Sequence, residues 1–186
     1  EVFSYELRAP WSERALRESL GAAARRHPVL RTSFDLRSFS EPVQRVHARL
    51  PGDAGEGEPV PFAAFDLRGR DRPGQDAAVS GWIDAELKRG FVWEEPPLWR
   101  AAAHRRTDTT WEFTLCAHHA ILDGWSAAAL IGGLFLDYLG RTVGRAPAVR
   151  PSPPPFVRYV ALERAARTDD GSRRFWADCL AESGQA

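Results

Sequence analysis

The sequence predicts an α/β fold, an α+β sandwich in which helices pack on a mixed sheet. Segments of β-rich composition alternate with segments whose apolar residues recur every three or four positions. Glycine and proline residues lie between these segments and mark turns. At 186 residues the chain is long enough to bury one sizeable core. These observations favour one layered domain over an all-helical or disordered chain.

Strands and helices alternate in the first half of the chain. The first helix, at Ser12–Arg26, has the clearest start, because Ser12 can act as its N-cap and Leu16 and Leu20 begin one apolar face. In chain order the predicted elements are a strand at Glu1–Leu7, a helix at Ser12–Arg26, strands at Leu30–Leu36 and Val43–Ala48, a loop at Pro51–Pro61 and a helix at Asp76–Arg89.

The second half continues the mixed pattern. Strands at Leu98–Arg105 and Thr110–Ala117 are expected to form a hairpin, and a helix is expected at Ala127–Leu139. That helix is apolar nearly all round, which predicts that it is buried on all sides. A proline-rich connector at 146–155 cannot be helical. Two short helices, at Phe156–Ala166 and Ser172–Leu180, are predicted to follow it.

Composition excludes several classes of function. Lys plus Arg and Asp plus Glu each total 25, so there is no basic excess to attract nucleic acid or an anionic membrane. The longest apolar stretch is too short for a membrane span, and no secretory signal pattern opens the sequence. Cys116 and Cys179 have no paired spacing, so reduced thiols are expected. A cytoplasmic location without membrane or nucleic-acid partners is therefore expected.

The motif His118-His119-x-x-x-Asp123-Gly124 lies where a strand is predicted to turn into a helix. If strand geometry persists, His119 shares a face with Phe113 and Leu115, whereas His118 points the other way. The two histidines are therefore expected to have different tasks. Asp123 can cap the following helix, and Gly124 allows backbone geometry that is closed to other residues.

The motif leaves alternatives open at several positions. For His118 the structural interpretation is favoured over a functional one, because strand alternation turns it away from His119. Trp125 and Ser126 could line a substrate channel, or they could serve core packing and helix capping. A metal site at the two histidines and Asp123 is disfavoured, because adjacent residues of a strand diverge and no further His or Cys is near in sequence.

The motif resembles the HHxxxDG signature of condensation domains of nonribosomal peptide synthetases, in the chloramphenicol-acetyltransferase-like superfamily. A second stretch, residues 26–34 (RHPVLRTSF), is similar to the RHExLRTxF segment of that family, with Pro28 in place of Glu. A third and weaker similarity runs from Phe91 to Ala101, where the family has PFDLxxxPLxR. The three segments occur in the family's order.

The resemblance implies a particular part of a particular domain. The family's amide-forming members keep both histidines, as this chain does. Complete condensation domains consist of two similar halves, and residues 1–186 resemble the N-terminal subdomain. The family's opening SxAQxRLW-like segment and its C-terminal subdomain have no counterpart here, and the YxDYAxW-like element is reduced to residues 156–162. The isolated fragment is therefore expected to be inactive.

The resemblance also implies chemistry and partners. An acceptor amine attacks a donor acyl thioester, both carried on the 4'-phosphopantetheine arms of carrier proteins, so no cofactor is bound directly. His119 would act as a base or as a positioner of the amine, and the Gly124 N–H would stabilise the oxyanion. Asp123 would form a buried ion pair with Arg26, or with Arg31 as the fallback. The C-terminal subdomain and neighbouring synthetase modules would be the other partners.

Two further functions stay open on the sequence. A free-standing acyltransferase of the same superfamily could use acyl-CoA or an acyl carrier thioester. Alternatively, the chain could be a non-catalytic half-domain that docks carrier proteins. The retained His119 and Gly124 argue against this second alternative, and the match at residues 26–34 favours a peptide synthetase over the first.

Overall fold

The computed structural model describes residues 1–50, 60–145 and 154–183. The chain divides into two compact units, Glu1–Pro151 and Ser152–Ala186. The described part of the first unit contains strands β1 (Val2–Arg8), β2 (Thr32–Asp35), β3 (Val43–Val46), β4 (Phe62–Asp66), β5 (Trp99–Arg105) and β6 (Thr110–Ala117), with helices α1 (Glu13–Arg26), α2 (Arg72–Arg89) and α3 (Gly124–Thr142). Helices α4 (Val157–Thr168) and α5 (Asp170–Ser183) form the described part of the second unit.

The main sheet has four strands in the order β1-β6-β5-β4. β6 is antiparallel to both β1 and β5, whereas β4 runs parallel to β5. β2 and β3 form a separate antiparallel pair. The predicted mixed sheet and the β5–β6 hairpin are therefore confirmed, but β4 was not predicted from the sequence.

Helices α1 and α3 cover one face of the main sheet. Leu16 and Leu20 of α1 and Ile131 and Leu134 of α3 join the side chain of Phe113 in one buried apolar cluster. The predicted Ser12 cap is confirmed, since its hydroxyl accepts the Ala15 N–H at 3.2 Å. Tyr138 ties α3 to the entrance of α1, because its hydroxyl accepts the Ser12 N–H and donates to the Pro10 carbonyl.

Helix α2 lies over the opposite face. Its N-cap, Asp71, accepts the Gly74 N–H, and Pro73 occupies its first turn, so the helix begins four residues before the predicted Asp76. The buried Gln75 amide donates to the Leu67 and Arg106 carbonyls and so ties α2 to the strand ends.

Two other expectations about the first unit need correction. The strand expected from Leu30 begins only at Thr32, because Pro28–Arg31 forms a 3₁₀ turn. The expectation that α3 is buried all round is wrong: Leu136 and Leu139 are exposed while Leu134 and Tyr138 are buried. α3 is therefore a surface helix with one apolar face on the sheet.

The second unit holds the two short helices that the sequence predicts, each within two to three residues of its expected bounds. Asp169 caps α5 by accepting the Ser172 N–H at 2.6 Å, and this bond lowers the pKa of its carboxyl. The predicted loop at Pro51–Pro61 and connector at 146–155 lie mostly outside the described residues.

Candidate active site

The loop 118–123 leads from the end of β6 to the start of α3. It is fixed at both ends, because the His118 N–H donates to the Leu98 carbonyl at 2.9 Å and the Ile121 N–H donates to the His118 carbonyl at 3.0 Å. Ile121 and Leu122 are buried in the core below the loop. His119 lies between these anchors and is held at the surface.

His118 is half-buried in an aromatic setting. Its ring centroid lies 4.4 Å from that of Trp93 and 6.2 Å from that of Phe91, both edge to face. Its Nδ1 accepts the Ala120 N–H at 3.1 Å, so in the neutral ring the proton is on Nε2. Burial lowers the pKa of His118, which favours this neutral form.

His119 has the opposite character. Its side chain is 63% exposed, and its Nδ1 lies 3.0 Å from the Leu122 carbonyl oxygen and 3.1 Å from Glu1 Oε2. Both neighbours are acceptors, so Nδ1 carries the proton and the Nε2 lone pair is left for another partner. The two histidines thus differ in surroundings and in tautomer. Strand alternation is not the cause, because β6 ends at Ala117 and His119 lies in the turn that follows.

Asp123 caps helix α3. Its Oδ1 accepts the Ser126 N–H at 2.7 Å, and hydrogen bonds from Ser126 hold the pKa of the carboxyl below its usual value. Within the described chain, the N–H groups of Gly124 and Trp125 have no acceptor. The start of α3 therefore offers free N–H donors and the positive end of the helix dipole.

The special backbone geometry that glycine allows is not adopted by Gly124. Gly124 has no positive φ and begins α3 as an ordinary helical residue. A Cβ built at Gly124 would meet no atom of the described chain within 4 Å. What the glycine provides is a bare surface over the first helical turn, which allows close approach to the free N–H groups.

The predicted buried ion pair between Asp123 and Arg26 is wrong. Asp123 is exposed, its Oδ1 caps α3, and within the described residues it forms no ion pair with an arginine. Arg26 ends α1. The fallback, Arg31, donates to the carbonyls of Ala24 and Ala48 and ties the end of α1 to the segment after β3.

Trp125 and Ser126 flank the histidine loop on the solvent side. Trp125 is 89% exposed, so it does not pack in the core of the described chain. Ser126 takes part in capping through its bonds to Asp123. The predicted capping role of Ser126 is therefore confirmed, whereas its role in a substrate channel stays a prediction.

Sequence reasoning missed three neighbours of the histidines. Glu1 reaches His119 because β1 pairs with β6 and sets Glu1 beside Ala117. Phe91 and Trp93 follow α2 and reach His118 from the other side of the sheet. Only the strand register and the path after α2 bring these residues together, and neither can be derived from local patterns.

Two further observations concern ligands and membranes. Across the described ranges, no three side chains of His, Cys, Asp or Glu come together in a way that could hold a metal ion. Within the same ranges, no helix has both the length and the apolar character to cross a bilayer.

The two histidines at the end of β6 therefore lie next to the start of α3, where the N–H groups of Gly124 and Trp125 have no acceptor within the described residues. The Condensation domain family profile matches residues 3–186. The chain therefore belongs to the condensation domain family.

Relatives and solved structures agree with this membership. The chain is 39% identical over 162 residues to the AMB antimetabolite synthetase AmbE of Pseudomonas aeruginosa, a match that covers 84% of this chain and 7% of the synthetase. It is 28% identical over 160 residues to bacitracin synthase 3 of Bacillus licheniformis, covering 86% of this chain and 2% of that protein. The first condensation domain of the calcium-dependent antibiotic synthetase, solved with a substrate analogue, superposes with a TM-score of 0.81 at 21% identity, covering 97% of this chain and 42% of that one. This superposition shows that the two chains share a fold.

Proposed function

We propose that this chain supplies the histidine-bearing part of a site that forms an amide bond between a donor acyl or peptidyl thioester and an acceptor aminoacyl thioester, in nonribosomal peptide synthesis. The observation that carries the proposal is His119. It is exposed, its Nδ1 is held by the Leu122 carbonyl, and its Nε2 has no partner within the described residues. Family membership and the synthetase relatives support this reaction class.

The free Nε2 atom of His119 has a definite task in this reaction. The acceptor amine attacks the donor carbonyl carbon, and the new N–C bond forms as the amine proton moves to Nε2. The C–S bond of the donor then breaks, and the thiolate leaves with that proton as a thiol. Glu1 lies near the Nδ1 side and would stabilise the positive charge on the ring between these steps.

The start of α3 would stabilise the oxyanion of the tetrahedral intermediate. The Gly124 N–H is our candidate donor, with the Trp125 N–H beside it, because neither has an acceptor in the described chain. The missing Cβ at Gly124 leaves this surface open to a thioester carbonyl. Asp123 would support this site indirectly by capping the same helical turn.

The chain covers only a small part of the length of its relatives, and this supports the partners that we propose. It covers 42% of the solved condensation domain of the calcium-dependent antibiotic synthetase and under a tenth of AmbE. We therefore assign the remaining active-site surface to a C-terminal subdomain, and substrate delivery to carrier proteins whose 4'-phosphopantetheine arms hold both thioesters. Neighbouring synthetase modules would supply these carriers.

Intact-protein mass spectrometry of the acceptor carrier tests the proposal. Donor-loaded and acceptor-loaded carriers are mixed with the complete condensation domain, and in parallel with the 186-residue chain. Each protein has a His119→Ala variant as its control. We expect the acceptor to gain the donor acyl mass with the complete wild-type domain only.

Two other outcomes would assign a different function. Transfer from acyl-CoA to a free amine or alcohol, without any carrier, would identify a free-standing acyltransferase. A folded complete domain that binds carriers and transfers nothing would leave carrier docking as the function.

A further inference from the structure

Two aromatic side chains that follow helix α2 contact the ring of His118. The ring centroid of Phe91 lies 6.2 Å from that of His118, and the centroid of Trp93 lies 4.4 Å from it, both edge to face. These contacts are not required to hold the backbone at the end of β6, because the His118 N–H already donates to the Leu98 carbonyl. The aromatic contacts act on the imidazole ring alone.

Phe91 is itself fixed by Arg100 of β5. The Arg100 guanidinium carbon lies 4.0 Å from the centroid of the Phe91 ring, which is a cation–π contact. The guanidinium also donates to the carboxylate of Glu86 and to the Gly90 carbonyl at 2.7 Å. The side chains of Arg100 and Glu86 are only 14% and 11% exposed, so this pair is a rigid, nearly buried support.

Trp93 is fixed from a different direction. Its ring packs edge to face on Phe34 of β2, with centroids 5.4 Å apart. The Trp93 carbonyl also accepts the Phe34 N–H at 2.7 Å. Both aromatic neighbours of His118 are thus held by elements outside the histidine loop.

The ring of His118 bonds to the loop in the orientation that the structure shows. Its Nδ1 accepts the Ala120 N–H at 3.1 Å, and this bond spans His119. A rotated ring would leave the Ala120 N–H without its acceptor and remove one of the bonds that hold the backbone next to His119. The rotamer of His118 is therefore coupled to the position of His119.

We propose that Phe91 and Trp93, with Arg100 behind Phe91, are positioning residues that lock the His118 ring onto the Ala120 N–H and thereby set the place of His119. The role in catalysis rests on the function proposed above. The lock itself is a property of the chain and can be measured without any reaction.

Nuclear magnetic resonance of the 186-residue chain, labelled with ¹⁵N, tests the lock. In the wild type we expect the Nε2–H tautomer of His118 and a scalar coupling across the hydrogen bond between the Ala120 amide nitrogen and Nδ1. Trp93→Leu should abolish the coupling and mix the tautomers, whereas Trp93→Phe should largely restore both signals. Trp11→Leu is the matched control, because Trp11 packs edge to face on Trp111 at the other end of β6, with centroids 5.8 Å apart.

Kinetics of the complete domain test the link to His119. Trp93→Leu should lower kcat ~10- to 100-fold with little change in KM, because the base is misplaced while substrate contacts remain. Trp93→Phe and Trp11→Leu should stay close to the wild-type rate. Circular dichroism melting of each variant confirms that it is folded, and Phe91→Leu replaces Trp93→Leu if the latter does not fold.

The outcomes separate the two proposals. A wild-type tautomer and coupling in Trp93→Leu would overturn the lock, whatever the kinetics show. A lost coupling with an unchanged kcat would overturn the positioning of His119. An inactive wild-type domain would overturn the proposed function, while the resonance measurements would still decide the lock.

Discussion

The two faces of the main sheet are packed in different ways. On the side of α1 and α3, β6 contributes Trp111, Phe113 and Leu115, each at most 3% exposed, to an apolar core. On the side of α2, the end of β5 carries buried polar groups: His104 is 1% exposed and Arg106, directly after β5, is 4% exposed. The first face is built mainly from apolar side chains, with Ser19 of α1 as a buried polar exception, whereas the second face buries histidine and charged side chains.

The two faces therefore stabilise the chain in different ways. Apolar burial contributes to the free energy of folding at any pH and at any salt concentration. Buried charges and histidines stabilise only when their partners are present and in the right protonation state. His118 and its support, Arg100 and Glu86, belong to the polar face. The loop 118–123 therefore contacts the face of the sheet whose contribution to stability depends on ion pairs and on pH.

The largest expected effect lies on the apolar face. Phe113 is fully buried and packs edge to face on Phe135, with ring centroids 5.5 Å apart. Phe113→Ala should lower the free energy of unfolding by ~3–5 kcal/mol, through lost burial and a cavity. Urea denaturation measures this loss. Phe65→Ala on the other face, where Phe65 is 38% exposed, should lose less than half as much, and equal losses would contradict the asymmetry.

The next effect tests the buried charge on the polar face. Arg106 donates to the carboxylates of Glu112 and Asp76, and its side chain is 4% exposed. Arg106→Leu should destabilise the chain by about 3 kcal/mol, because Glu112 is left as a largely buried charge without its partner.

An exposed arginine provides the control for that charge. Arg68 is 41% exposed and pairs with Asp66 and Asp108, so water can replace its contacts. Arg68→Leu should therefore change the urea midpoint far less. Comparable urea midpoints for the two variants would mean that the burial of Arg106 contributes nothing to the free energy of unfolding.

The extent to which the sequence predicts this fold depends on how local each signal is. The Ser12 cap and the β5–β6 hairpin depend on neighbouring residues and are confirmed. β4 was missed because Phe62–Asp66 is short and forms a strand only by parallel pairing with β5. α2 begins earlier than predicted. Gly74 is a poor helix former, and it follows directly on the Asp71 cap and Pro73, which mark the true start.

The candidate site divides in the same way. The motif itself predicts where His118 and His119 lie, since both follow directly from the end of β6. The ion pair of Asp123 was wrong because the family resemblance does not reveal that Ser126 satisfies the carboxylate locally. Glu1, Phe91 and Trp93 reach the histidines only through sheet register and tertiary packing, which no local pattern encodes.

The third effect is a dependence on pH that comes from His104. This imidazole is buried against Phe65 and Trp82, its Nδ1 has no partner in the described chain, and burial lowers its pKa to about 4. Because the folded pKa lies below the unfolded value near 6.5, the unfolded chain binds the proton first. The stability from neutral His104 is therefore fully present above pH 6.5 and is lost as the pH falls toward 4.

A variant isolates this histidine from the other groups that titrate in acid. The loss expected at pH 5 is ~2 kcal/mol, from the separation of the two pKa values. His104→Phe keeps the stacking on Phe65 and removes the titration, so its stability between pH 7 and pH 5 should fall less than that of the wild type. Parallel pH profiles of the two proteins in urea denaturation would exclude His104 as the cause.

The smallest effect distinguishes a cap from a buried ion pair at Asp123. A buried pair would make Asp123→Ala unfold or precipitate, whereas an exposed cap predicts a soluble protein with a slightly lower melting temperature. Asp123→Asn keeps a capping oxygen and should melt close to the wild type. Ser12→Ala at the start of α1 is the matched cap variant and should shift the melting temperature in the same direction. If Asp123→Asn is as damaged as Asp123→Ala, the charge is essential and a cap alone does not explain this aspartate.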